Sequence, residues 1–277
     1  MASWVLIHSP LLGPGSWAEV AKRLGAAVPD LRPALHSERD LNARLADLTA
    51  MNTEPGSAIW LAGHSGAGPL LPLVAARLTS AGVRVEATVF VDAGLPHPGV
   101  SRRATLGREL AEHLDAISED GWLPPWPQWW PEAELAVLVP DASMREALQA
   151  DAPRIPVRLC DEPMPAGDDV PAPCYLQLSA AYAEHAYIAT RHGWPVVRMD
   201  ADHLAPLTRP DEVTAALHAL RGPVSRAGNT LSRTVPDHAR VSCARARASG
   251  PAGCPSPHVG HRGMFVFELR TVDCGDV

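Results

Sequence analysis

The chain has 277 residues, a net charge of −7 and 20% charged residues, enough for one large domain with a sizeable core and without a basic face for nucleic acid. No run is long and apolar enough to span a bilayer, and Trp4-Val5-Leu6-Ile7 starts without a basic leader, so no membrane partner and a cytoplasmic location are expected. Five irregularly spaced cysteines (Cys160, Cys174, Cys243, Cys254 and Cys274) do not suggest a disulfide framework.

Trp4-Val5-Leu6-Ile7-His8 reads as a strand, and the loop from Ser9 to Gly15 follows it. Ser16 is placed to cap a helix over 17–24, in which Trp17, Val20, Ala21 and Leu24 fall at helical spacing. Residues 26–31 predict a short second strand. Leu41, Leu45 and Leu48 mark an amphipathic helix, and Pro55-Gly56 ends the connection after it. Ala58-Ile59-Trp60-Leu61-Ala62 is a buried strand that Gly63-His64-Ser65-Gly66-Ala67 stops abruptly before a helix over 70–78. Val85-Glu86-Ala87-Thr88-Val89-Phe90-Val91 is the next strand, ending at Asp92-Ala93-Gly94. Strand and helix alternating in this way predict an α/β fold with a doubly wound, mostly parallel sheet. Ligands of such sheets bind beyond the carboxyl ends of the strands, where His8, Ser65 and Asp92 all fall.

The alternation stops at about Leu95. Residues 95–173 are rich in Pro and Trp, with helical stretches at 108–117 and 143–150, and are expected to form a cap over the site. Most of the indoles there pack the cap onto the body; one or two are left to face a ligand. Regular structure resumes with a strand over 174–179, a helix over 182–191, a last strand over 194–199 and a final helix from Arg209. Pro210 suits its first turn, and Asp211 and Glu212 suit the positive end of its dipole.

The domain thus ends near residue 221. Residues 222–277 lose apolar periodicity and are expected to be a low-complexity, disordered tail. Cys243, Cys254, His258, His261 and Cys274 match no paired zinc spacing, and no metal or other cofactor is expected. A single strand is possible at 264–269.

Strand, small-x-Ser-x-small, helix is the pattern of a nucleophile elbow. Its turn is sharp enough to strain the serine backbone, so Gly63 and Ala67 must be small. Ser65 then stands at the sheet edge, and the Gly66 N–H at a helix start can bind a developing oxyanion. A Gly-rich turn with an incidental serine is the plainer alternative.

Three motifs carry a resemblance: His8-Ser9-Pro10 through Gly15-Ser16-Trp17, Gly63-His64-Ser65-Gly66, and Asp202-His203-Leu204 before Arg209-Pro210-Asp211-Glu212-Val213. In this order residues 1–221 resemble the α/β-hydrolase superfamily without its first two antiparallel strands, nearest the branch of small capped esterases and hydroxynitrile lyases. The resemblance implies Ser65 as nucleophile and His203 as the general base, an imidazole that both takes and returns a proton. His64 is expected to pack beside the site. His36, His97, His113, His185, His192 and His218 have no comparable placement.

The sequence departs from that family twice. Where its loop carries His-Gly-x, with the N–H of x as second oxyanion donor, this chain has Pro10, which has no N–H; either Leu11 or the Ser9 hydroxyl is the replacement, or the hole is weak. The usual acid position after the penultimate strand, near Ser179, holds no carboxylate. Asp92 and Glu184 are the candidates. Asp92 is preferred because it stands at the end of the strand beside the elbow, and Ser65, Asp92, His203 is the superfamily's chain order. Asp200 and Asp202 are too close to His203 to turn back onto its ring.

The function expected is that of a serine hydrolase, a carboxylesterase acting on a small apolar ester through an acyl-enzyme on Ser65. A hydroxynitrile-lyase-like proton abstraction by Ser65 and His203 is the second reading, although no lysine stands in the cap to hold a leaving anion. A ligand-binding protein that retains the elbow is the third. Since the tail brings no patterned apolar face, a chain ending near Leu220 is expected to melt within about 5 °C of the full chain. A larger drop in a thermal melt, or a metal-dependent one, would place the tail in the fold.

Overall fold

The computed structural model describes residues 2–167 and 169–222. The tail, its Cys and His set and the strand at 264–269 lie outside the described residues. In chain order come β1 (Ser3–Ile7), α1 (Ala18–Leu24), α2 (Leu41–Met51), β2 (Ala58–His64), α3 (Leu71–Ser80) and β3 (Arg84–Val91). The segment after β3 holds α4 (Arg108–Ile117), β4 (Trp122–Leu123), α5 (Glu132–Leu138), α6 (Ala142–Asp151), β5 (Ile155–Pro156) and α7 (Arg158–Asp161). The chain then closes with β6 (Pro173–Gln177), α8 (Ala183–Arg191), β7 (Val196–Arg198), α9 (Ala205–Thr208) and α10 (Pro210–Arg221).

The main sheet runs β1-β2-β3-β6-β7, and each neighbouring pair is parallel. Successive buried side chains on β1 and β2 enter opposite cores, as a sheet covered on both faces requires. Trp4, Leu6, Trp60 and Ala62 pack with Trp17, Val20 and Leu217 on the face covered by α1 and α10. Val5, Ile7, Ile59 and Leu61 pack with Leu45, Leu71 and Val74 on the face covered by α2 and α3. Because all five strands are parallel, their carboxyl ends open on one edge. That edge presents Ser65, Asp92 and the loop that follows β7.

Two local expectations are corrected. Residues 26–31 do not form a strand; only Ala27 pairs, accepting from the Leu6 N–H at 2.9 Å and donating to the Trp4 carbonyl at 3.0 Å. Pro29 has no N–H with which to continue the ladder. Ser16 does not cap α1. It lies in a 3-10 turn, Pro14–Trp17, and its hydroxyl donates to the Gly13 carbonyl at 2.8 Å. The proline that starts this turn draws Ser16 inside it, and Trp17 stands at the cap position, where its side chain makes no capping bond.

Several side chains tie the segment between β3 and β6 to the body, among them Glu162, Arg102 and Asp151. Glu162 caps α2 by accepting from the Leu41 N–H at 2.9 Å, beside the Asp40 carboxylate that accepts from Ala43. Arg102 donates to Asn42 Oδ1 on α2 at 2.9 Å. Asp151, at the end of α6, accepts from the Gly15 N–H and from Arg32, both at 2.8 Å. No described helix is long and apolar enough to cross a membrane.

At the end of β2 the backbone turns through Ser65 with φ of 56°, a left-handed value that a non-glycine residue rarely adopts. The 3-10 turn Ser65–Leu70 then leads into α3. Gly63 keeps the approach close: a methyl there would stand 2.7 Å from Leu71 Cδ2. Gly68 is tighter, since its methyl would meet the Gly94 carbonyl oxygen and stand 2.7 Å from Ala93 Cβ. A leucine tip can rotate away and a backbone carbonyl cannot. Gly68→Ala is therefore expected to cost about 1–3 kcal/mol, several degrees of melting temperature, and more than Gly63→Ala. Melting curves that rank the two the other way would contradict this packing.

Candidate active site

Three strand ends converge on one hydrogen-bonded chain. Ser65 follows β2, Asp92 follows β3, and His203 lies in the loop between β7 and α9. His203 Nε2 is 3.0 Å from Ser65 Oγ, and Nδ1 is 2.8 Å from Asp92 Oδ2. An ionised carboxylate only accepts, so the Nδ1–H donates to Asp92 and Nε2 is left to accept the Ser65 proton. All three side chains are buried.

Asp92 also has a left-handed φ, 42°. Its Oδ1 accepts from the Leu178 N–H at 2.9 Å and the Ser179 N–H at 3.0 Å, and its Oδ2 accepts from the Ser179 hydroxyl at 2.7 Å. Burial alone would raise the Asp92 carboxyl; the bonds to His203 and Ser179 outweigh it and hold the group below the usual carboxylate range. The end of β6 thus supplies hydrogen-bond donors to a carboxylate that stands one strand away. Glu184 lies exposed in the first turn of α8, and Asp202 turns to its own loop, accepting from the Leu204 N–H at 2.9 Å.

Two rings pack against the His203 imidazole. Tyr182 stacks on it at 5.1 Å between centroids and 7° between planes. The His64 ring packs at 4.6 Å and 33°, and its Nε2–H donates to the His203 carbonyl at 2.9 Å. Burial, together with the nearby His203, pushes the His64 imidazole down to about 3. His64 is therefore a neutral packing group, and its Nδ1 has no partner. Tyr182 is a residue the sequence reading did not single out. Burial, with the Asp92 charge, raises its phenol well above normal, so it stays protonated, and it lines the same cavity as Ser65. The available signal was an aromatic residue at a helix start immediately beyond a strand end.

The loop after β1 forms the opposite wall. His8 donates from Nδ1 to the Ser9 carbonyl at 2.8 Å and accepts at Nε2 from the Leu31 N–H at 3.0 Å, which fixes its tautomer. Pro10 offers no N–H. The Leu11 N–H is turned onto Ser9 Oγ at 3.3 Å, and that hydroxyl lies against Gly66, where an added methyl would stand 3.3 Å from it. Gly66 belongs to the first turn after β2, where N–H groups have no helical partner. Ser65, Gly66, Leu11, Pro69, Leu106 and Tyr182 are among the residues that line a cavity of about 70 Å³. Of the tryptophans in the segment after β3, Trp126 reaches the site and packs beside Ser65 and His203. Trp129 turns its indole N–H to the Pro124 carbonyl at 2.8 Å. Among the described residues, no group of three or more His, Cys, Asp or Glu side chains is placed to hold a metal ion.

A family model described as the alpha/beta hydrolase family matches residues 4–216. No curated protein sequence matches the chain at a significant level. Among solved structures, an extracellular alpha/beta-hydrolase from a Paenibacillus species, described as homologous in structure and function to tobacco Salicylic Acid Binding Protein 2, is similar. Its TM-score is 0.62 at 18% identity, over 79% of this chain and 99% of that one. Tomato methylketone synthase I in complex with 2-tridecanone gives 0.57 at 15% identity, over 79% and 97% of the two chains. A pyrethroid hydrolase from Sphingobium faniae gives 0.54 at 18% identity, over 80% and 98%. At these identities the likeness is one of fold.

The buried His64 makes a pH prediction. In the unfolded chain its imidazole takes a proton below about 6.5, whereas the folded state excludes it down to about 3. Its contribution to stability is thus full above the unfolded value and is lost as pH falls through that window, by about tenfold in the folding constant per pH unit. His64→Gln should lose less stability than the wild type between pH 7 and pH 5 in urea titrations. An equal loss in both proteins would show that His64 is not the proton-excluding group.

Proposed function

The chain belongs to the alpha/beta hydrolase family, and from that premise we propose that it is a serine carboxylesterase acting on a small ester. The observation that carries the reading is the unbroken chain from Ser65 through His203 to Asp92, at 3.0 and 2.8 Å. A strained turn holds the serine, and every bond at the carboxylate favours its charged form.

In the reaction the Ser65 oxygen bonds to the ester carbon as its proton passes to His203 Nε2, and the carbonyl electron pair moves onto oxygen. The Gly66 N–H is aimed at that oxyanion; Leu11 is the second donor once its N–H leaves the Ser9 hydroxyl. Collapse breaks the bond to the alcohol oxygen, which leaves with the proton from His203. Water then repeats the sequence on the acyl-enzyme, giving its proton to His203 and releasing the acid. Asp92 stabilises the imidazolium throughout without taking the proton. The modest cavity and its apolar walls at Leu11, Pro69 and Leu106 favour a short acyl group. No cofactor enters the scheme.

A lyase reading draws support from Pro10, because proton abstraction by Ser65 and His203 tolerates a poor oxyanion hole. The sequence's single lysine, Lys22, lies on α1 rather than over the site. The two readings part at the acyl-enzyme. With p-nitrophenyl butyrate, intact mass should show a butyryl adduct on the wild type and none on Ser65→Ala, whose turnover falls at least about 10³-fold. Asp92→Asn should lower kcat by about 10³- to 10⁴-fold, whereas Glu184→Gln should stay within about twofold. Turnover that survives Ser65→Ala would sink the esterase, and the opposite ranking of the two acid variants would move the acid to Glu184.

A further inference from the structure

Tyr182 is the buried polar side chain at the site that the scheme above leaves without a task. It belongs to the 3-10 turn Ala180–Tyr182 directly after Ser179, the residue that donates to Asp92 through both its N–H and its hydroxyl. The phenol ring is therefore set by the same contacts that set the acid. It lies parallel to the His203 imidazole and lines the cavity with Ser65 and Gly66.

Tyr182 stacks on the imidazole whose Nε2 is 3.0 Å from Ser65 Oγ, and it lines the same cavity as that serine. His203 Nε2 must face the leaving oxygen, because it hands that oxygen a proton. The oxyanion forms on the other side, toward the Gly66 amide. A phenol stacked on the imidazole is therefore a neighbour of the departing alcohol and not of the oxyanion.

We propose that the Tyr182 hydroxyl is a second hydrogen-bond donor to the leaving oxygen, which suits the site to esters of simple aliphatic alcohols. The proposal rests on the esterase reading. As the bond from the acyl carbon to the alcohol oxygen breaks, its electron pair stays on that oxygen. His203 supplies the proton that makes the alcohol, and the Tyr182 O–H donates a hydrogen bond to the same oxygen while keeping its own proton. Burial keeps the phenol in its donor form, and no oxidant or further reactant is needed. An alkoxide needs this help, because charge builds on a strongly basic oxygen. A p-nitrophenolate, which spreads its charge into the ring, hardly does.

The test compares methyl butyrate with p-nitrophenyl butyrate, using kcat/KM so that acylation is read in both cases. Tyr182→Phe keeps the stacked ring and deletes only the hydroxyl. It should lose about 100-fold or more on the methyl ester and less than about tenfold on the p-nitrophenyl ester, the scale of one lost transition-state donor. Unchanged melting and unchanged fluorophosphonate labelling of Ser65 would show that fold and nucleophile are intact. Equal losses on the two esters, or no loss on either, would overturn the proposal, since a phenol that merely holds Ser65 or the fold acts on both alike. A series of aryl and alkyl butyrates on the wild type provides a second arm. A fall in rate with leaving-group basicity as steep as in Tyr182→Phe would also overturn it. Should the wild type hydrolyse neither ester in a Ser65-dependent way, the esterase reading fails first and the proposal with it.

Discussion

The Asp92 carboxylate is the point on which the architecture of the site hangs. A buried charge is expensive unless it is paired and hydrogen-bonded, and this one accepts from two backbone amides, a hydroxyl and an imidazole. Those donors come from the end of β6 and from the loop after β7, while the carboxylate comes from β3. One group thus holds three strand ends in register beyond the sheet. Removing its charge would orphan donors on two separate segments, which is why its effect on the site exceeds that of any single bond.

The histidine benefits from this arrangement in orientation as well as in charge. Its plane is set by Asp92 on one edge and by the packed rings of Tyr182 and His64, and its main chain by the bond from the His64 ring. An imidazole held in this way needs little reorganisation when it gains or loses a proton, and preorganisation of this kind is where catalytic energy resides. Ser65 is fixed by a different means, a backbone forced into a left-handed turn by the close approach of β2, α3 and the Ala93–Gly94 segment. Packing constrains one partner and polar bonds the other.

Much of this was legible in the sequence, though for unequal reasons. The order of strands and helices, the elbow around Ser65 and the loop around His203 are local patterns, so spacing alone points to them. Asp92 required one further step, from strand order to the strand beside the elbow. Tyr182 could not be found in that way, because its meaning comes from a stacking partner 21 positions along the chain. Gly68 escaped for a similar reason: the carbonyl that excludes a side chain there belongs to residue 94, on the next strand's exit. Ser16 and residues 26–31 misled because each has the right residue types for a cap or a strand, while a neighbouring proline decides the backbone first.

The grip of Asp151 on the turn at Gly15 has a consequence for how this protein can diversify. That carboxylate joins the end of α6 to the loop that begins at Ser9 and carries Leu11, and Arg32 braces it from the far side. The end of α6 and the loop that carries Leu11 are therefore mechanically one piece. Lengthening or tilting α6 would drag that loop out of line, so rate would suffer before affinity changed. Shape variation that spares turnover has its freest ground near Thr105 and Leu106, where the cavity wall rests on a short turn with no tie to that loop among the described contacts.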